Sequence, residues 1–331
     1  MTARQKRHLY NFGGIFLSLL FIYFCYRLLE KDKIGQIFSV KHVWFLVPVV
    51  FLNFAVMALR TQIWRSMLNY LIRLPYATLF DVLNMGYMAN NLLPLKAGDF
   101  FRASFVARRW KLSYTPVLTT VGLERYFSGI SLLILFFVLA AFLQIPWWIK
   151  TGVYVTAAVL AGIQIMFLII WMKKPNLENW EKRHPVLYRT VQFFAHLGEG
   201  SEPLKSGKAY ITLTLYSLIA WIGQGIMLRL IEVAYGVHID WPSTVFVIVA
   251  INLAIALPSA PGNLGTFELG AILAYTFVGV DRVTALGIGI FFHFLQVLPV
   301  TLLGLFYYFR WGLRFRDMER EAEDRLEEAI S

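Results

Sequence analysis

The chain has 331 residues, of which 58% are hydrophobic and 15% charged, and its mean hydropathy is +0.60. So little polar surface excludes a water-soluble globule of this size, and the apolar runs lack the polar alternation of barrel strands, so we predict an all-α, polytopic integral membrane protein. The net charge of +11 comes from short basic segments beside apolar runs, a pattern typical of membrane topology and anionic lipid rather than of nucleic-acid binding.

The first predicted element is an apolar run from about Leu9 to Leu29, which follows a basic flank and precedes no small-residue cleavage site. We therefore predict an uncleaved anchor helix. The single cysteine, Cys25, lies inside this run, so the chain can form neither an intramolecular disulfide nor a zinc framework. No metal and no other cofactor is expected.

Six apolar runs approach the roughly 20 residues that span a hydrocarbon layer of about 30 Å. They are Leu9–Leu29, Val43–Leu59, Ser128–Ile145, Gly152–Met172, Ala209–Val233 and Ala285–Phe309. Two further regions, Thr78–Leu95 and Ser243–Val280, are apolar but interrupted by Asn, Pro and Gly, so both are predicted to be broken or re-entrant. The prediction is about eight transmembrane helices in a domain over residues 1–309, with a cytoplasmic polar helical tail over residues 310–331.

Lys and Arg are concentrated in the N-terminal tail and in four other segments, which are Arg60–Arg73, Lys96–Lys111, Lys173–Lys208 and the tail from Arg310. The expected location is the cell (inner) membrane, and the positive-inside rule places both termini on its cytoplasmic side. Because basic segments flank Thr78–Leu95 on both sides, this stretch is predicted to be a re-entrant hairpin that enters and leaves at the cytoplasmic face.

The same charge count requires Ser243–Val280 to cross the bilayer twice, as two short limbs joined at Pro258–Gly265, with Asp281 and Arg282 outside. A strict inverted repeat is instead expected to return this break to the outer face and to place the C-terminal tail outside. Since symmetry and charge conflict here, the orientation of the termini is taken from charge. Both breaks are expected to meet near the bilayer midplane, because interrupted backbone needs a wet or protein-lined interior.

The first polar constellation is NNLLPLKAGDFFR, from Asn90 to Arg102. It combines two amides, a helix-breaking proline, a glycine and two opposite charges at the end of an apolar stretch. Unpaired backbone groups at membrane depth must be buried in protein or line a wet cavity. The alternative is an ordinary cytoplasmic turn in which Asp99 pairs with Arg102.

The second polar constellation is LPSAPGNLGTFE, from Leu257 to Glu268. Its prolines stop a helix, its glycines permit positive φ, and a new helix is predicted to begin near Thr266 with Glu268 in its first turn.

The two constellations share a spacing: Pro94 and Gly98 are four residues apart, as are Pro261 and Gly265, and a carboxylate follows each glycine. Broken helices at matching positions of two halves indicate a transport site in carriers built from internal repeats.

Glu124 and Arg125 lie about ten residues into the continuous stretch from Thr115 to Pro146, and ionisable groups at such depth usually mark a pathway. The alternative is that both side chains snorkel to the interface. Arg229 and Glu232 are predicted to form an interfacial ion pair, and His293 is predicted to be an interhelical hydrogen-bonding residue rather than a ligand.

The sequence contains no HExxH, no GxSxG and no paired-aspartate metal motif, so we predict that the protein is not an enzyme. Intramembrane acid/base chemistry by Asp99, Glu124 and Glu268 stays open, provided that the three carboxylates converge.

Three segments, NNLLPLKAGDFFR, GLERYFSG and LPSAPGNLGTFE, occur in this order and resemble the lysylphosphatidylglycerol synthetase transmembrane-region family. That family is the flippase-like domain found alone or fused ahead of a cytosolic aminoacyl-lipid synthase. The resemblance covers about Tyr10 to Phe309, with Asp99 where the family often has Glu and Asn263 where a further Gly is usual. Because no synthase domain follows Arg310, the stand-alone form is expected.

The resemblance implies a flippase or scramblase-like transporter that moves a phospholipid or lipid-phosphate between leaflets through a central polar cavity. The substrate-binding residues that it implies are Asn90, Asn91, Pro94, Gly98, Asp99, Arg102, Glu124, Arg125, Pro261, Gly262, Gly265 and Glu268. Our hypothesis is that Arg102 and Arg125 bind a lipid phosphate. When the site is empty, these arginines would pair with the carboxylates of Asp99, Glu124 and Glu268.

The expected partners are membrane lipids, namely an anionic or aminoacylated phospholipid or a polyprenyl-phosphate lipid. A homo-oligomer and a separate synthase partner stay open. Two other functions also stay open: an intramembrane enzyme acting on a lipid-linked substrate, and an accessory scaffold that holds a synthase through the loop Lys173–Lys208.

Overall fold

The structure, a computed structural model, describes residues 37–93, 96–142, 144–172, 200–256 and 261–313, together with Tyr23 and Gly35. These ranges contain nine α-helices and no strand, which confirms the all-α prediction. The helices are α1 (Leu46–Leu68), α2 (Tyr76–Leu92), α3 (Ala97–Arg109), α4 (Tyr114–Leu139), α5 (Trp147–Met172), α6 (Gly207–Tyr235), α7 (Trp241–Ala254), α8 (Thr266–Phe277) and α9 (Arg282–Arg310). The predicted anchor Leu9–Leu29 and all but the start of the tail lie outside the described residues.

Five of these helices, α1, α4, α5, α6 and α9, are long and apolar enough to cross a membrane. They correspond to five of the six predicted runs, which confirms those predictions. The largest change of bounds concerns α4, which was predicted over Ser128–Ile145 and begins fourteen residues earlier, at Tyr114. Glu124 and Arg125 therefore lie near the middle of a 26-residue helix.

The interrupted stretch Thr78–Leu95 belongs to a helical hairpin, here called the first hairpin, in which α2 is the leading limb and α3 the returning limb. Its tip lies between Leu92 and Ala97. The prediction of a hairpin is correct in kind but wrong in extent, because residues 78–92 form one continuous helix, which is the leading limb alone. The segment Lys96–Lys111, predicted to be a cytoplasmic connection, is almost entirely the returning limb.

The two limbs of the first hairpin touch backbone to backbone. A Cβ atom on Gly98 would overlap the carbonyl oxygen of Gly86 and would lie 2.6 Å from the amide nitrogen of Asn90. A side chain at position 98 would therefore force the limbs apart. This close approach brings Asp99, the next residue, against the end of α2.

The base of the first hairpin lies at the same end of the bundle as the end of α9. Asp81, in the second turn of α2, is 3.3 Å from Nη2 of Arg310 and accepts a 3.0 Å hydrogen bond from the indole of Trp311. We call this end the arginine-rich end. The arginines that define it are Arg65, Arg73, Arg108, Arg109 and Arg310.

Helices α7 and α8 form the second hairpin, whose base lies at the opposite end. There Glu232, in the last turns of α6, accepts hydrogen bonds from Thr244 at the start of α7 and from Tyr275 at the end of α8. With 14 and 12 residues, the limbs extend only about 21 and 18 Å at about 1.5 Å per residue. The two predicted limbs are present, but the prediction that they cross the bilayer is wrong, because both are too short.

The two hairpins point toward each other and their tips are in contact. A Cβ atom on Gly262 would lie 3.4 Å from the carbonyl oxygen of Asn91, and the Asn91 side chain donates a 2.9 Å hydrogen bond to Thr301 on α9. Helix α9 also runs close to α2, since a Cβ atom on Gly304 would lie 2.5 Å from the carbonyl oxygen of Asn84. The two predicted breaks therefore meet, and their position near the bilayer midplane stays a prediction.

The order long helix, hairpin, long helix occurs twice in the described part of the chain, as α1–α4 and as α6–α9. The first hairpin opens at the arginine-rich end and the second at the opposite end, so the two units are inverted relative to each other. The sequence predicted that an inverted repeat would place the C-terminal tail on the side opposite to the one that the charge count gives. This prediction is wrong. Because the second hairpin returns to its own end, α9 still finishes at the arginine-rich end.

Candidate functional site

Four of the predicted residues form one ionic cluster between α3 and α4. Nη1 of Arg102 is 2.7 Å from Oε2 of Glu124, and the Arg125 guanidinium donates to both carboxylate oxygens of Asp99 at 3.0 to 3.2 Å. The alternative pair of Asp99 and Arg102 is also present, at 3.4 Å. It belongs to this cluster inside the protein, so the prediction of an ordinary cytoplasmic turn is wrong.

Arg102 is the enclosed cation of the cluster. Its side chain is 1% exposed, and its guanidinium carbon lies 5.0 Å from the ring centre of Trp64 on α1. The indole N–H of Trp64 donates in turn to Thr120 on α4 at 3.0 Å. Because a buried cation is stable only beside its counterion, Arg102 holds α3 against α1 and α4.

Arg125 is the accessible cation of the cluster. Its side chain is 41% exposed, and its guanidinium carbon lies 5.5 Å from the ring centre of Tyr87 on α2. Both Glu124 and Arg125 are held by the first hairpin about halfway along α4, so the alternative of snorkelling to the interface is wrong. Of the two arginines, Arg125 is therefore the more exposed.

Two further residues, Arg60 and Tyr87, complete the cluster and were not predicted from the sequence. Arg60 lies 4.0 Å from Glu124 and donates to the hydroxyl of Tyr87 at 3.2 Å, while that hydroxyl donates to Glu124 at 3.2 Å. The predicted span ended at Leu59, so Arg60 was treated as a topological charge. Its spacing of four residues from Trp64 places both on one face of α1, which is the signal that could have identified it.

The cluster has more positive than negative groups. Its cations are Arg60, Arg102 and Arg125, and its anions are Asp99 and Glu124. Lys96, at the tip of the first hairpin, adds a cation within electrostatic range of Asp99 and Arg125. Among the described residues, the buried Nε atoms of Arg60 and Arg102 have no hydrogen-bond partner. The surplus of positive charge makes the cluster electrostatically favourable for an anion.

Glu268 lies in the first turn of α8, as predicted, and forms a second centre. Its Oε1 is 2.7 Å from Nδ1 of His293 on α9, and its Oε2 accepts a 2.7 Å hydrogen bond from the amide of Gly265. Nε2 of His293 is 2.7 Å from the carbonyl oxygen of Gly262. The prediction that His293 is an interhelical hydrogen-bonding residue is confirmed. The prediction that Glu268 pairs with the arginines is wrong, because His293 and the backbone of the tip occupy its oxygens.

The tip of the second hairpin has the turn geometry that its glycines predicted. Pro261 begins a short 3-10 turn, and φ is +69° at Gly262 and +85° at Gly265. Asn263 also has a positive φ, +59°, which asparagine tolerates better than most residues. Its presence where the resembling family usually has glycine is compatible with the turn.

Two adjacent amides at the end of α2 face the two centres. Asn90 donates to Asp99 at 3.2 Å, whereas Asn91 donates to Thr301 on α9 and lies beside Gly262. The structure thus brings the predicted residues together around the meeting tips, in two centres rather than one. Pro94 lies outside the described residues.

Arg229 and Glu232 form their predicted ion pair at 3.1 Å, but they do not form a simple interfacial pair. The Glu232 side chain is 0% exposed and accepts hydrogen bonds from Thr244 at 2.8 Å and Tyr275 at 2.9 Å. The prediction is wrong on the burial of Glu232, because both limbs of the second hairpin cover its carboxylate.

Comparison with known proteins gives the same assignment as the three motifs. The sequence matches the family described as lysylphosphatidylglycerol synthase TM region over residues 11–304. A UPF0104 membrane protein of Methanothermobacter thermautotrophicus is 22% identical over 263 residues, covering 73% of this chain and 74% of its own. Another, from Methanocaldococcus jannaschii, is 25% identical over 223 residues, covering 65% of this chain and 90% of its own. This chain is a multi-pass membrane protein that belongs to the lysylphosphatidylglycerol synthase TM region family.

Proposed function

We propose that this protein moves a lipid with an anionic headgroup between the leaflets of a cell membrane, as a flippase or scramblase-like transporter rather than as an enzyme. The observation that carries the proposal is the surplus of cations around Arg125, at the tip of a hairpin inside a bundle of membrane-length helices. Ionisable groups at such depth are costly and usually mark a ligand pathway. The family name refers to a phospholipid, which supports a lipid as the ligand.

Binding consists of an exchange of anions at Arg125. In the empty site the Asp99 carboxylate accepts two parallel hydrogen bonds from the guanidinium, Nε to Oδ2 and Nη2 to Oδ1, and phosphate oxygens can accept the same fork. A headgroup phosphate replaces Asp99, while Arg102 stays buried against Glu124 and Trp64. The acyl chains remain in hydrocarbon throughout.

The inverted hairpins provide a route for the headgroup from either side. Each hairpin covers one half of the bundle's length, and the tips touch at Asn91 and Gly262. Small movements of one hairpin against its long helices would open the site to one end at a time. The positive-inside rule assigns the arginine-rich end to the cytoplasm.

The test is headgroup translocation in liposomes that contain the purified protein. Arg125→Ala is expected to slow translocation by about tenfold or more, since a hydrogen bond to a charged group contributes about 1.5–3 kcal/mol. Arg109→Ala is the matched control, because Arg109 is an exposed arginine at the end of α3. Its translocation rate is expected to equal that of the wild type.

The lipid panel separates transport from the alternative functions. It contains an anionic, a zwitterionic, an aminoacylated and a polyprenyl-phosphate lipid. Equal leaflet exchange in wild-type and protein-free vesicles for all four would overturn the proposal. A new lipid species detected by mass spectrometry would favour the enzyme. A co-purifying synthase that is lost on deletion of residues 173–199, but retained in Arg125→Ala, would favour the scaffold.

A further inference from the structure

The Glu268–His293 pair is a centre separate from the ionic cluster around Arg125, and its geometry requires a proton. Nε2 of His293 is 2.7 Å from the carbonyl oxygen of Gly262, which can only accept, so Nε2 carries a hydrogen. Nδ1 is 2.7 Å from Glu268. This contact is either an imidazolium donating to a carboxylate or a neutral imidazole accepting from a protonated carboxyl group. In both forms the pair is neutral and holds one exchangeable proton.

The described surroundings of the pair are largely enclosed. The two side chains are 8% and 14% exposed, and the ring of Phe267 stacks on the imidazole at 4.3 Å. The described neighbours on other helices are uncharged: the Asn91 carbonyl beside Gly262, Asn53 bonded to the backbone of Leu295 and Gln296, and Ile251 with Ala254 against Gly270. Among the described residues, the titratable group that acts on Glu268 is His293.

The inverted units place this pair at the position of a permanent ion pair. Asp99 and Glu268 are each the third residue of a returning limb. Arg125 and His293 are each the twelfth residue of the long helix that follows, counted from Tyr114 and Arg282. The first unit therefore carries an arginine, which stays protonated, where the second carries a histidine, a side chain that can bind and release a proton.

We propose that Glu268 and His293 form a proton-binding site that seats the tip of the second hairpin and couples the movement of that tip to proton binding. With the proton bound, the imidazole bridges the carboxylate and the carbonyl oxygen of Gly262. When the proton leaves to water, the pair has a charge of −1 and the neutral imidazole has a single N–H. Either the Glu268 carboxylate or the Gly262 carbonyl oxygen then faces the lone pair of an unprotonated His293 nitrogen. The tip is consequently released from α9 and from Asn91.

The proton site is tested with an environment-sensitive fluorophore at the tip. Leu264, which is 53% exposed, is replaced by Leu264→Cys in a Cys25→Ser background, and the labelled protein in lipid nanodiscs is titrated from about pH 5 to about pH 9. A single transition in emission is expected. A label at Val155→Cys on α5, where the exposure is 59%, is expected to show none.

Two variants of His293 identify the titrating group. His293→Arg supplies a permanent cation, like that of the first unit, and His293→Gln supplies a neutral group. Both are expected to abolish the transition, with the tip seated at all pH values in the first and displaced at all pH values in the second. A transition that persists in either folded variant, or its absence from the Leu264→Cys protein itself, overturns the proposal.

The coupling to transport rests on the proposed function and has a separate readout. In liposomes with an imposed pH gradient, translocation rates are expected to differ by about fivefold or more between the two gradient directions, the usual lower range of a coupling energy. His293→Arg is expected to remove this difference. If no lipid moves but the fluorescence transition remains, the proposed function fails and the proton site stands. If lipid moves equally in both directions and no transition occurs, the proton site fails and the proposed function stands.

Discussion

Arg102 and Arg125 have the same charge and lie in one cluster, but they are covered by different neighbours. Trp64 and Glu124 enclose Arg102, whereas Arg125 stacks near Tyr87 and keeps part of its guanidinium exposed. A buried ion pair contributes little net stability, yet it becomes costly when one partner is removed. The two arginines therefore differ in accessibility, since Arg102 is enclosed by its partners and Arg125 keeps an exposed part.

Replacement of Glu124 by glutamine tests this division. Glu124→Gln leaves Arg102 with the weaker contact to Asp99 and is expected to destabilise the protein by about 3–5 kcal/mol. The double variant Glu124→Gln with Arg102→Met is expected to recover a large part of that loss, because no unpaired charge remains. Chemical unfolding in detergent measures both. Equal destabilisation by the single and double variants would contradict an enclosed, pair-dependent Arg102.

At the residue scale, the sequence predicted which residues matter better than it predicted their partners. Charges and amides in an apolar chain stand out, so Asp99 and Glu268 could be selected from their type and position alone. The partner of Glu268 could not be predicted, because His293 is 25 residues away on another helix. Arg60 was missed because a hydropathy pattern ends a span at the first arginine, even where the helix continues.

At the scale of elements, each hairpin depends on a tip that ends one helix and starts another within a few residues. The sequence predicted both tips from proline and glycine, and it correctly placed the start of α8 at Thr266. It failed on the returning limb α3. Arg102, Arg108 and Arg109 made that segment look like a solvated connection, although Arg102 is buried and the other two lie exposed at its end.

The first hairpin is expected to be intolerant of a single methyl group at its crossing point. Gly98→Ala would overlap the backbone of Gly86, so we expect separation of α2 from α3, a lower melting temperature and loss of lipid movement. Gly122→Ala on α4 is the matched control, since a Cβ atom there meets nothing within 4 Å. It is expected to be neutral or stabilising by up to about 1 kcal/mol. Equal melting temperatures for the two variants would contradict the close crossing.

At the scale of the whole molecule, the inverted units explain why two opposite hairpins meet. The recurrence of proline and glycine four residues apart indicated a repeat, but not its direction. Direction depends on whether the limbs of Ser243–Val280 cross the membrane, and a hydropathy pattern does not show that two apolar limbs of 14 and 12 residues turn back halfway. Once they do, α9 ends beside α2 at the arginine-rich end, in agreement with the charge count.

The orientation of the whole bundle in the membrane can be tested with two single-cysteine proteins. After Cys25→Ser, a cysteine at Ser331→Cys should react with an impermeant thiol reagent only in permeabilised cells, because the basic residues that follow α9 favour the cytoplasm. A cysteine at Val280→Cys, between the second hairpin and α9, should react in intact cells, because this connection lies at the opposite end of the bundle. The Cys25→Ser protein alone should not react. Labelling of Ser331→Cys in intact cells would reverse the assignment of both ends, and the first hairpin would then open to the outside.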